Sequence, residues 1–159
     1  MMKFLSLGFL VFVTLNGCGD AGEDTPQPGV AQLAGTGSDS EGQQRWYNQG
    51  QLEHGAQVFS ENCAVCHGDQ AQGLVEDWRQ RLPDGSFPPP PLNGSAHAWH
   101  HPVGQLTEII DTGGAPYGGQ MPPFSDVLSG DDKLAAIAYF QSFWDETTYL
   151  GWLDLGGLD

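Results

Sequence analysis

Cys63-Ala64-Val65-Cys66-His67 is the stretch on which the reading of the whole chain turns. Its spacing, C-x-x-C-H, is that of a covalent attachment site for c-type haem. The chemistry requires that spacing. Two thiols three positions apart lie on one helical turn, where each can add to a vinyl group of the same porphyrin. The adjoining imidazole is then placed to ligate the iron. A thioredoxin-like redox pair would bring a βαβ context, and half a zinc site would bring a second ligand pair. Neither pattern accompanies the pentapeptide. Cys63 and Cys66 are therefore read as haem-attachment residues and His67 as an iron ligand, with one haem c as the cofactor.

Composition agrees with a small domain built around such a group. The chain has 159 residues, with 23 Gly and 11 Pro, so much of it must be loop. Loop-rich domains of this size need a staple, and a covalently held haem supplies one. The 5 Lys and Arg stand against 20 Asp and Glu, a net charge of −15. That balance argues against binding nucleic acid or an anionic membrane through charge, and suits redox partners with basic docking surfaces.

Outward from the motif, the N-terminus reads as an export signal. Met1-Met2-Lys3 precedes an apolar run from Phe4 to Leu15, long enough for a signal peptide and too short to span a bilayer. The run ends in Leu15-Asn16-Gly17-Cys18, similar to the lipobox of bacterial lipoproteins, in which the chain is cut before a cysteine that becomes acylated. The expected organisation is a signal peptide at 1–17, a lipidated Cys18 and flexible tether through 44, a haem-bearing domain at 45–145 and a tail at 146–159. The tether is polar and aperiodic, with a random-coil reach of about 25–30 Å. The protein is thus expected on the periplasmic side of a bacterial membrane. The alternative is an ordinary cleavable signal that leaves a soluble periplasmic or secreted protein.

Within the domain, Trp46 to Asn62 has helical periodicity and runs into Cys63. Gly55 inside it costs about 1 kcal/mol against alanine and invites a helix crossing, with Phe59 one turn on as its contact. Pro88 to Pro91 excludes helix and predicts extended chain. Arg79 and Arg81 form either a solvated face or partners for haem propionates. His97 and His101, four apart, would share a helical face if that stretch were helical, although a metal site there lacks further ligands. Val103, Leu106, Ile109 and Ile110 predict a helix ending at Gly113. Once the signal peptide is removed, Met121 is the sole methionine, held between glycines and two prolines. It is the candidate sixth iron ligand, with His97, His100 and His101 as competitors. Ser129 through Asp132 is an N-cap signal for a broad apolar helix that includes Tyr139.

These pieces, in this order, resemble a class I c-type cytochrome over about Trp46 to Trp144. The attachment motif matches in full, and Met121-Pro122-x-Phe124 matches the distal-ligand loop. Gly55 and Phe59 match the positions that cross the C-terminal helix at its aromatic residue, here Tyr139. Pro91-Leu92-x-Gly94 resembles the segment beside the cofactor whose proline carbonyl orients the proximal histidine. The resemblance implies an all-α fold around the haem and an electron carrier without a substrate of its own. The expanded loop before Pro91 departs from the smallest members. Two other functions fit the same attachment site: a haem enzyme or gas sensor with a labile distal ligand, and a haem-bearing accessory subunit of a larger oxidase or dehydrogenase.

Overall fold

The computed structural model describes residues 44–159; the expected signal peptide, lipidated Cys18 and tether before residue 44 lie outside the described residues. The fold is all-α. Among the described residues five helices follow in order: α1 (Gln49–Asn62), α2 (Ala64–His67), α3 (Val103–Thr112), α4 (Gly130–Gln141) and α5 (Glu146–Asp154). Short 3-10 turns cover Ala98–His100 and Ala115–Tyr117. Among the described residues the only β-type pairing is an isolated parallel bridge between Phe87 and Gly119. No described helix is long and apolar enough to cross a membrane.

Helix α1 begins at Gln49, later than the periodicity from Trp46 predicts. Asn48 stops it: its Oδ1 accepts from Gln51 N–H at 3.0 Å, while Gln51 Oε1 accepts from Asn48 N–H at 3.0 Å. This reciprocal pairing satisfies two otherwise orphaned donors. Trp46 turns instead toward the C-terminal half, where its indole N–H donates to Gln141 Oε1 at 2.6 Å. Helix α4 is capped as expected, Ser129 and Asp132 exchanging the same two bonds at its first turn. The Ser129 hydroxyl, which donates to Asp132 Oδ2 at 2.6 Å, and after it the Ser129 N–H and His54 hold the Asp132 carboxyl down at about 2.

The crossing of α1 and α4 organises the core. A Cβ on Gly55 would overlap the Ala135 carbonyl and lie 3.0 Å from the Tyr139 Cβ, so the helices meet backbone to backbone. One turn on, the Phe59 and Tyr139 rings pack at 5.2 Å. The helical cost of Gly55 is thus offset by the close approach it permits. Gly55→Ala is expected to destabilise the domain by about 2–3 kcal/mol, because relieving the overlap means moving a backbone carbonyl in a packed core. Urea unfolding of the haem-loaded protein checks this, and a neutral or stabilising effect would count against the crossing.

The C-terminal segment, expected as a tail at 146–159, packs into the core. Asp145 caps α5 by accepting from Thr148 N–H at 2.7 Å. Tyr149 and Trp152 are buried with Phe59, Ile137, Phe140 and Trp144 in one cluster. The Trp152 indole N–H donates to the His101 carbonyl at 2.9 Å, and Val103 N–H donates to Gly157 O at 2.8 Å. The chain end thereby closes over the start of α3.

Candidate functional site

The attachment motif sits where α1 gives way to α2. Cys63 closes α1, donating its N–H to Phe59 O at 2.8 Å, and its carbonyl accepts from Cys66 N–H at 3.1 Å and His67 N–H at 2.9 Å. Cys63, Cys66 and His67 are therefore held by a single turn. Gly68, with φ 77°, ends that turn in a conformation that favours glycine. From α4, Tyr139 reaches over to donate its hydroxyl hydrogen to Asp69 O at 3.0 Å. The crossing at Gly55 thus grips the motif on both sides, through Phe59 before it and Asp69 after it.

His67 is buried, with 7% of its surface exposed. Its Nδ1–H donates to the Pro90 carbonyl at 2.9 Å, which fixes the tautomer and leaves the Nε2 lone pair for a metal. Burial pushes its pKa below the ordinary histidine value, with the Pro90 bond opposing, so the ring is neutral at neutral pH and able to ligate. The resemblance pointed to Pro91 for this role; the structure corrects it to Pro90. The reason lies in register. In an extended proline stretch successive carbonyls point about a third of a turn apart, so only one of them faces the imidazole. That one is chosen by Ala71, whose carbonyl accepts from Leu92 N–H at 2.7 Å and Asn93 N–H at 3.1 Å. Pro91 packs on Gly73, and the Leu92 carbonyl accepts from the Trp144 indole N–H at 2.7 Å.

Ala71 was missed by sequence reasoning. It is fully buried with φ 56°, a left-handed conformation costly for alanine. No side-chain pattern signals that role; only the spacing of Gly68 and Gly73 around it hints at a tight turn.

Cys63 is half-buried and Cys66 exposed, and both are free thiols in the chain itself. Burial first, then the neighbouring Cys66, pushes the Cys63 thiol up to about 11. Two thiols and a neutral imidazole on one turn are the donor set that haem c requires, so the residues fit the group.

Met121 is held through its backbone. Its carbonyl accepts from Gly114 N–H at 2.9 Å, and Gly119 N–H donates to Gly114 O at 2.9 Å, closing the loop on itself. A Cβ on Gly113 would lie 2.6 Å from the Met121 carbonyl oxygen, and its φ of 80° also favours glycine. Phe124 N–H then donates to Ile110 O at 2.9 Å, tying the far end to α3.

The histidine-rich stretch does not form the helical face that would have paired His97 with His101. Only Ala98–His100 turn, and they do so as 3-10. His97 stacks on Trp78 at 4.8 Å and meets His101 edge-on at 5.4 Å, while His100 stacks on Trp99 at 3.7 Å. Among the described residues no group of three or more His, Cys, Asp or Glu side chains is arranged to hold a metal. Arg79 and Arg81 lie over the rings of Trp78 and Phe87, at 4.3 and 4.0 Å.

A helical fold with C-x-x-C-H on one turn and a buried, carbonyl-oriented histidine beside it defines a c-type cytochrome, and haem c is the group such a domain carries covalently. The chain belongs to the family described as cytochrome c oxidase, cbb3-type, subunit III, whose model matches residues 50–140. It is 41% identical over 76 residues to a cbb3-type cytochrome c oxidase subunit CcoP of Rhodobacter capsulatus, covering 48% of this chain and 21% of that protein. It is 33% identical over 94 residues to the corresponding subunit FixP of Sinorhizobium medicae (strain WSM419), covering 55% of this chain and 28% of that one. The chain thus aligns with only a minor part of either relative. No solved structure matches it.

Proposed function

We propose that the protein is a one-electron carrier for a single haem c, which Cys63 and Cys66 would tether and to whose iron His67 and Met121 would be the ligands. The observation that carries the reading is the His67 Nδ1–H bond to Pro90 at 2.9 Å, which commits the imidazole to ligation through Nε2. Haem c, when bound, supplies an iron centre that alternates between ferric and ferrous states. The chain's own residues do the rest. Cys63 and Cys66 tether the group, His67 donates through a ring that cannot rotate, and Met121 offers a soft thioether that favours the ferrous state. With the His67 ring held by the Pro90 carbonyl and the Met121 backbone held by Gly114, the two side chains would move little on electron gain or loss and would leave a substrate no site on the iron. One C-x-x-C-H in the full sequence supports one haem.

The export signal and Cys18 support a periplasmic site of action on a lipid tether, and the acidic surface supports partners with basic docking faces. The relatives' names support a second reading, in which this haem domain serves as a subunit or close accessory of a terminal oxidase. Stable co-purification with an oxidase would favour it.

The test is a spectroelectrochemical titration of the purified full-length protein together with its intact mass. One reversible one-electron transition, a ferric methionine–iron charge-transfer band and a mass carrying one haem are expected. A five-coordinate spectrum with rapid CO binding at neutral pH would overturn the carrier reading in favour of a haem enzyme or sensor.

A further inference from the structure

The loop that precedes Pro91 reaches across to the methionine loop. Leu82 N–H donates to Ser86 O at 2.8 Å and Gly85 N–H to Leu82 O at 2.9 Å, closing a tight turn. Inside it, Asp84 Oδ1 accepts from the Ser86 N–H at 2.9 Å and the Ser86 hydroxyl at 2.6 Å. The Ser86 bonds and that of Gln120 together hold the Asp84 carboxyl below its usual range. Gln120 Nε2 donates to the free Asp84 Oδ2 at 2.5 Å and to Ser86 Oγ at 2.9 Å, so both amide hydrogens are used. Next to it, Phe87 N–H donates to Gly118 O at 2.8 Å in the parallel bridge. Arg81 lies over the Phe87 ring and donates to Gly85 O at 2.6 Å, bracing the turn from behind.

Gln120 immediately precedes Met121. The methionine loop is therefore fastened within its own segment at Gly114, to α3 at Phe124, and through Gly118 and Gln120 to a turn more than thirty residues earlier in the chain, where Gln120 makes the side-chain contact next to the methionine. We propose that Gln120 is a positioning residue, which through Asp84 and Ser86 holds the Met121 loop closed and so sets how readily the sixth coordination position opens. This rests on Met121 being the sixth ligand. An incoming ligand binds only when the loop has let go, so its apparent affinity is its intrinsic affinity multiplied by the open fraction. Removing the two exposed hydrogen bonds of Gln120 raises that fraction by about 2- to 10-fold.

Imidazole titration of the ferric, haem-loaded full-length protein tests this, with urea unfolding alongside. Gln120→Ala is expected to bind imidazole about 2- to 10-fold more tightly than the parent, with a loss of unfolding free energy no larger than that fold-change converts to, about 0.4–1.4 kcal/mol. Gln120→Glu, which removes both donors and sets a carboxylate against Asp84, is expected to bind it more tightly still. Adding Asp84→Asn to Gln120→Glu restores a donor–acceptor pair and is expected to return the affinity toward the parent value, which a merely structural loop contact would not do. Met121→Ala is the reference. If Met121→Ala opens the iron while all three Gln120 variants stay within about twofold of the parent, the positioning role is wrong and the ligand reading stands. If Met121→Ala changes neither the charge-transfer band nor imidazole binding, both fall together.

Discussion

Met121→Ala is expected to lower the reduction potential by roughly 100–200 mV, within the span of about 0.8 V that axial ligands command. It is also expected to abolish the ferric methionine–iron charge-transfer band and to let CO and imidazole bind without displacing a protein ligand. The direction follows from charge. A neutral, soft sulfur stabilises Fe(II) relative to Fe(III), and a water or hydroxide in its place does the reverse. The substitution isolates the thioether, because the loop is held by the Gly114–Met121 backbone bond and by Gln120, neither of which needs the methionine side chain. Potentiometry and the visible spectrum of the haem-loaded protein decide the matter. An unchanged potential and spectrum would move the sixth ligand to His97, His100 or His101, whose rings are now engaged with Trp78, Trp99 and one another.

Trp152→Ala is expected to cost about 3–5 kcal/mol, the range for removing a large buried aromatic residue. That is a substantial part of the roughly 5–15 kcal/mol that holds a domain of this kind together. Trp152 is 0% exposed, its ring centroid lies 5.9 Å from that of Trp144 and 5.5 Å from that of Tyr149, and Gly157 folds directly over the indole. Truncation opens a cavity and also leaves the His101 carbonyl without its donor. The reduction potential should move less than in Met121→Ala, since Trp152 touches neither His67 nor the Met121 loop through any hydrogen bond. Urea unfolding gives the number. A loss below about 1 kcal/mol would show that the last helix only decorates the domain.

Local codes proved readable wherever a short stretch carries its own geometry. Gly55 with Phe59 one turn on and the Ser129 cap each act through spacing along one helix, and Tyr139 is the partner the resemblance implied; all are found in place. The start of α1 was misplaced because periodicity continues past Asn48, whereas the capping bonds there stop the helix. Helix α5 had a signal in Asp145 followed by Glu146, an N-cap and a first-turn acid, but its burial depended on residues far away. The proximal carbonyl was assigned one residue late for a related reason. Which proline faces His67 is set by where Ala71 anchors Leu92 and Asn93, a contact across the fold.

By itself, the sequence pointed to haem attachment through Cys63 and Cys66 beside His67, because covalent chemistry demands those residue types within one helical turn. It also determined where two helices can cross, since only a residue without a Cβ lets backbones touch. The tertiary structure alone decided which carbonyl holds the histidine ring, how the C-terminal helix seals the core, and what fastens the methionine loop. Each of those depends on a left-handed alanine, a buried indole or a glutamine bonded to a distant turn. Such pairings are made by packing between segments far apart in the chain, and no local pattern encodes them.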